Sequence, residues 1–217
     1  HRLIRHPYGP LSGYAMMINP ALEAWQRTWS ALGRTLMHQT GTLMLAREDL
    51  SWVEQSLTDM ESLGIAFETL DSTSLHQRAP MLRTDGVEVA AWVDSGGVLL
   101  AKPIVQALAT NLLMKGVTVN THTPVIGIDP VRGSIELEDG SRARADAIVI
   151  ACGPWVRDLV PQSIGKVKPS RQVVAYLKPP PQYRSAWTNA PMILDIHGEG
   201  GIYAVPPVEN TGLKVGD

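Results

Sequence analysis

Apolar residues between positions 12 and 36 fall at Met16, Ala24, Trp25, Trp29 and Leu32. After Pro20 they recur at helical spacing, which predicts a helix over 20–32 with Gly33 as its stop. The run TGTLMLA (40–46) reads as a strand. Residues 49–63 repeat the helical period, with Asp49 or Ser51 as cap and Gly64 closing the helix. IAFETL (65–70) predicts a short strand, and LHQRAP (75–80) a helix of one or two turns halted by Pro80.

The segment 98–153 is patterned most clearly. It predicts a helix over 103–114 ended by Lys115-Gly116, a strand at VTVN (117–120) and another at PVIGID (124–129). A hairpin turning at Glu138-Asp139-Gly140-Ser141 follows, and then a strand at DAIVIA (146–151). A helix followed closely by a β-branched strand is half of a βαβ crossover. SIELE alternates, as in a sheet with one wet face, whereas AIVIA is apolar at consecutive positions, as in a strand covered on both faces. After Pro161, Pro-rich loops separate strands at RQVVAYLK (171–178), PMILDI (191–196) and GIYAVPP (201–207), with no convincing helix. This is antiparallel-sheet material. The expected fold is α/β plus antiparallel β, in two interleaved layers built from separated stretches. The chain opens HRLIRHPYG without a methionine, and its alternating end, LKVGD, finds no partner strand in the sequence. The 217 residues therefore read as an internal piece of a longer polypeptide.

Composition narrows the partners. With 44% apolar and 18% charged residues and a net charge of −2, the chain can build a core, and its scattered Lys and Arg form no basic stripe for nucleic acid. No apolar run approaches the roughly 20 residues that span a bilayer. The single cysteine, Cys152, makes no internal disulfide, which favours a reducing, cytoplasmic setting. Oligomeric state is not legible.

Two stretches carry candidate chemistry. ADAIVIACGPW (145–155) ends an apolar strand in Gly-Pro, where backbone can approach a ligand at the carboxyl end of a sheet; the alternative is an ordinary turn. HRLIRHPYG places Arg2 and Arg5 three apart. In a helix or tight turn both guanidinium groups would lie on one side, suited to a carboxylate or a flavin edge, and the alternative is a solvated face. His1, His6, His38, His76, His122 and His197 show no metal-ligand spacing with one another or with Cys152, so no metal is expected. Cys152 reads as a packed hydrophobe. No GxSxG elbow and no GxGxxG is present.

In combination and in order, RLIRHPYG, QTGTLMLA, SGGVLLAKPIVQALA, GVTVNTHTPVIGID, DAIVIACGPW, SRQVVAYL and GGIYAVPP make the chain resemble the flavin-dependent amine oxidases of the D-amino-acid oxidase superfamily. The nearest branch is that of monomeric sarcosine oxidase and N-methyltryptophan oxidase. The resemblance implies an FAD enzyme that oxidises the C–N bond of a small amino or N-methylamino acid by hydride transfer to flavin, with oxygen as acceptor. Alternatives are an FAD-dependent dehydrogenase using a quinone or other acceptor, and a non-catalytic module of the same fold. It implies that Arg2 lies against the flavin and Arg5 holds the substrate carboxylate. Thr123, Pro124 and Val125 would meet the adenosine part of FAD, and Cys152, Gly153 and Trp155 would pass close to the cofactor. The substrate wall would fall on Ile193, Tyr203 and Ala204, with Ala204 in place of an aromatic residue giving a roomier pocket. Residues 1–34 and 98–162 would be a partial FAD-binding α/β layer, and 35–97 with 163–217 a mostly antiparallel substrate-binding domain. The family's GxGxxG strand would precede His1 and its flavin-linking cysteine would follow Asp217, so these residues alone are expected to bind FAD weakly or not at all and to be inactive.

Overall fold

The computed structural model describes residues 1–197 and 200–217, and of His197 and Gly200 the backbone only. The fold is mixed α/β with mainly antiparallel sheets and divides into two compact units. One comprises His1–Asn111 with Gln172–Asp217, the other Leu112–Arg171. Residues 1–34 and 98–111 thus pack in the same unit as residues 35–97.

The larger unit begins with strand β1 (Arg2–Ile4) and helix α1 (Ser12–Leu32), followed by strands β2 (Met37–Gln39) and β3 (Thr42–Ala46). Helix α2 (Ser51–Ser62), β4 (Glu68–Thr69), α3 (Ser72–Arg78), β5 (Val89–Val93), β6 (Gly97–Leu99) and α4 (Ala101–Met114) as far as Asn111 complete its first part. α1 starts eight residues ahead of the expected Pro20 and contains that proline in its interior. Pro20 cannot donate to Met16, but Met16 and Met17 lie on the exposed face, where water can serve the freed carbonyl. Gly33, at φ 67°, ends the helix in the left-handed conformation. Asp49 accepts from the backbone and hydroxyl of Ser51 at the start of α2, and Asp71 caps α3 by accepting from Ser74 N at 2.7 Å. The expected strand 65–70 shrinks to β4, an edge strand pairing only at Glu68 and Thr69.

The smaller unit holds the antiparallel sheet β7 (Val125–Asp129), β8 (Ser134–Leu137) and β9 (Arg142–Arg144), and helix α5 (Val156–Leu159). β8 and β9 form the hairpin expected at Glu138–Ser141. Two expectations fail here. VTVN (117–120) is not a strand, and DAIVIA (146–151), expected as a doubly covered strand, is unpaired and largely exposed, with Val149 at 90%. An apolar run marks suitability for two covered faces, but coverage needs neighbouring strands, and none among the described residues pairs with it.

The chain then returns to the larger unit with β10 (Val174–Leu177), α6 (Arg184–Thr188), β11 (Met192–His197), β12 (Gly200–Val205) and β13 (Leu213–Gly216). Helix α6 was not expected; its Trp187 buries against the sheet. Seven strands run in the order β10-β13-β12-β11-β3-β5-β4, all antiparallel except the β11–β3 pair, and β1-β6-β2 form a second sheet. β13, expected to lack a partner, pairs with both β10 and β12. β3 shows what a consecutive apolar run does when partners exist. Leu43 and Leu45 enter one core cluster with Ile193, Ala204 and Leu213. Met44 and Ala46 enter another, with Val53 and Met60 of α2 and Leu194. The large sheet therefore has two buried faces, and the face a residue takes decides what it can line.

Candidate active site

β1 is extended, so Arg2 and Arg5, three residues apart, do not share a side as they would in a helix or tight turn. Arg2 is exposed and, among the described residues, donates only to the His1 carbonyl at 3.3 Å. Arg5, just beyond the strand, is half-buried. Its Nη1 donates to the Pro7 carbonyl, and its guanidinium carbon lies 4.3 Å from the centre of the Tyr8 ring and 5.7 Å from that of Trp52 on α2. Among the described residues no carboxylate pairs with it, and burial lowers its pKa from the usual arginine value. Arginine stays charged through such a shift, so Arg5 presents a desolvated positive fork whose Nε and Nη2 have no partner among the described residues.

The HPYG turn that carries Arg5 is fixed on two sides. His6 is buried, with Nε2 2.9 Å from Asn19 Oδ1 of α1 and Nδ1 2.7 Å from Ser95 Oγ. Gly9 N donates to Ser56 Oγ of α2 at 2.8 Å. Gly9 has φ 56°, and a Cβ there would overlap the Trp52 indole.

The residues expected for the substrate wall lie on opposite faces of the large sheet. Ile193 and Ala204 are cross-strand partners on the face away from α2. There they line a cavity of about 340 Å³ with Leu45, Trp187 and the Arg47–Asp195 ion pair. Tyr203 pairs with Leu194 on the α2 face and packs against the cluster that also takes Trp52. The structure thus brings Tyr203 to the side of Arg5's ring partner and carries Ile193 and Ala204 to the other. On Tyr203's face lies a group that sequence reasoning missed. Lys214 is 4% exposed, has no ion pair among the described residues, and sets its Nζ 5.2 Å from the centre of the Tyr203 ring. In LKVG it reads as the wet position of an alternating strand. β13 is an inner strand between β10 and β12, and the face that takes Lys214 is buried as well.

In the smaller unit, Pro124, Val125, Cys152 and Trp155 line one cavity of about 580 Å³ with Ile126, Asp158 and Leu159. Thr123 is exposed and bonds to the Thr121 carbonyl at 3.0 Å, outside that lining. Gly153 opens a single 3-10 turn with φ 56°; a side chain there would meet nothing within 4 Å, so conformation rather than space favours glycine. Among the described residues no group of three or more His, Cys, Asp or Glu could hold a metal ion, and the His197 side chain lies outside those residues. No helix of the described residues is long and apolar enough to cross a membrane.

Known proteins resemble the chain over its whole length. The N-methyl-L-tryptophan oxidase of Yersinia pestis is 23% identical over 217 residues, covering 99% of this chain and 57% of the relative. Among solved structures, NikD, an unusual amino acid oxidase essential for nikkomycin biosynthesis, superposes with a TM-score of 0.76 at 20% identity, covering 99% of this chain and 57% of that one. The L-proline dehydrogenase from P. horikoshii superposes with a TM-score of 0.74 at 18% identity, covering 98% and 57%. The chain spans a little over half the length of these relatives. The family model described as FAD dependent oxidoreductase matches residues 2–217, and the chain belongs to that family.

Proposed function

We propose that the protein carrying this chain oxidises the C–N bond of a small amino or N-methylamino acid by hydride transfer to FAD, with oxygen as the electron acceptor. The observation that carries this reading is Arg5, a half-buried guanidinium held by two aromatic rings with no carboxylate of its own among the described residues. A substrate carboxylate supplies the missing countercharge and takes both oxygens onto Nε and Nη2. Tyr203 walls the same side of the large sheet, and Lys214 adds a second buried positive group beside it.

The residues of the smaller unit fit part of the cofactor. The cavity at Pro124, Val125, Cys152 and Trp155 has mainly apolar walls, an indole and the Asp158 carboxylate, a combination suited to a flat base and the hydroxyls of a sugar. When bound, FAD accepts the hydride from the carbon beside the substrate nitrogen. In this reading Thr123 and Gly153 shape the same segments, and Arg2 lies toward the flavin. Arg5 orients the carboxylate, Tyr8 and Trp52 exclude water from it, and Tyr203 limits the space beside it. Ile193 and Ala204 act only as support behind the wall. Apart from Arg5 and Tyr8, residues 1–34 and 98–162 serve the cofactor, and 35–97 with 163–217 the substrate. The single cysteine of these 217 residues forms no disulfide within them, which supports a reducing cytoplasm as the setting.

The test uses the full-length protein loaded with FAD. Arg5→Met should weaken amino-acid binding by about 2–5 kcal/mol, the loss expected when one partner of a desolvated charge pair is removed. Peroxide should form in step with substrate consumed. Unchanged substrate affinity in Arg5→Met refutes the assignment of Arg5, and turnover without peroxide refutes oxygen as the acceptor.

A further inference from the structure

We propose that Trp52 is a positioning residue that sets where Arg5 points and thereby the preference for substrates bearing a carboxylate; this rests on the reading of Arg5 above. Arginine is a long, flexible side chain, and three contacts hold this one: the Pro7 carbonyl, the Tyr8 ring and the Trp52 ring. Pro7 and Tyr8 belong to the same turn as Arg5 and move with it. Among the described residues, Trp52 is the contact that comes from elsewhere in the fold. It sits in the first turn of α2 and packs on the cluster containing Met44 and Leu194, against which Tyr203 also packs. The position of the guanidinium relative to the Tyr203 face is therefore referred to the large sheet through the indole.

The turn is built to accept that indole. Gly9 lies against Trp52 where no side chain would fit. Ser56, one turn further along α2, accepts from Gly9 N at 2.8 Å and donates to the Trp52 carbonyl at 2.8 Å. Residues 5–9 are thus fastened to α2 by the indole and by the hydroxyl beside it. Because the Pro7 carbonyl occupies Nη1, the remaining edge of Arg5 offers Nε and Nη2 to a planar carboxylate. An amine without a carboxyl group has nothing to place there. Loss of the indole should therefore weaken carboxylate-bearing ligands and spare amines, a split that a tryptophan serving only the core would not produce.

The experiment compares two pairs of probes differing by the carboxyl group, N-methyl-L-tryptophan with N-methyltryptamine and N-methylglycine with dimethylamine. Each is titrated calorimetrically and assayed for turnover with the full-length, FAD-loaded protein. Trp52→Leu should weaken the amino acids roughly five- to thirtyfold, the range expected for a desolvated cation–π contact, and Trp52→Phe should shift them less in the same direction. The amines should change by less than about twofold, and Trp52→Leu should add nothing in an Arg5→Met background. Equal losses for acids and amines, an unchanged acid-to-amine ratio in Trp52→Phe, or a full loss in the Arg5→Met background would overturn the assignment of Trp52. A wild-type protein that does not prefer the acids would instead overturn the role of Arg5, and the role of Trp52 with it.

Discussion

Arg5 and Lys214 are cations withdrawn from water without a carboxylate partner among the described residues, an arrangement that costs free energy unless a ligand completes it. Such a site must be held rigidly, and at the residue scale Gly9 is where that rigidity is most exposed to test. Gly9→Ala forces a side chain into the left-handed region and against the Trp52 indole. It should destabilise the fold by about 1–3 kcal/mol, read as a lower denaturant midpoint at unchanged slope. A midpoint equal to wild type would show that the indole does not occupy that space. The residue types of this site were partly legible in sequence: Arg5 stands out in RLIRHPYG. Its ring partner Trp52 did not, because the contact joins distant segments and leaves no local period. Lys214 was hidden for another reason: alternation cannot distinguish a wet face from a second covered one.

At the scale of elements, end signals were the most legible features, because a cap is a local hydrogen bond. Gly33 and Gly64 take the left-handed conformation at the ends of α1 and α2, whereas the Asp71 cap, which starts α3 at Ser72 ahead of the expected 75–80, was not read. The backbone donor of Ser74 holds the Asp71 carboxyl below its usual pKa. A carboxylate with a lowered folded-state pKa stabilises the fold above its unfolded value, and that contribution is lost as pH falls through the folded value. Asp71→Ala should therefore melt at a lower temperature than wild type at neutral pH, with the difference narrowing as the solution is acidified below the ordinary carboxylate range. Asp71→Asn should keep the cap without that dependence. A difference between wild type and alanine that is the same at both pH values would contradict the cap. Strands were less legible than caps. TLMLA and AIVIA carry the same consecutive apolar signature, yet the first lies between β11 and β5 while the second has no partner strand among the described residues. What separates them is the supply of partner strands, which is a long-range property.

For the whole molecule, family and fold class were legible because many motifs agree in order, while the allocation of faces was not. Ile193, Tyr203 and Ala204 are close in sequence or directly paired strands, and one step of pleat sends Tyr203 to the α2 face and Ala204 to the other. The cofactor bears on the same scale. The chain contains no GxGxxG and spans 57% of the N-methyl-L-tryptophan oxidase it resembles. Phosphate binding at a helix N-terminus is a large share of dinucleotide affinity. The 217-residue chain by itself should therefore retain no flavin absorbance through gel filtration, and a yellow protein peak would show that these residues suffice.

If Arg5 holds the carboxylate of the molecule being oxidised, its removal should abolish the preference for acids over amines. The most direct measurement is anaerobic bleaching of the flavin in the full-length protein by N-methyl-L-tryptophan and by N-methyltryptamine, each with wild type and Arg5→Met. Wild type should be reduced at far lower concentrations of the acid than of the amine, and Arg5→Met should need similar concentrations of both. An acid preference that survives in Arg5→Met would contradict that role of Arg5.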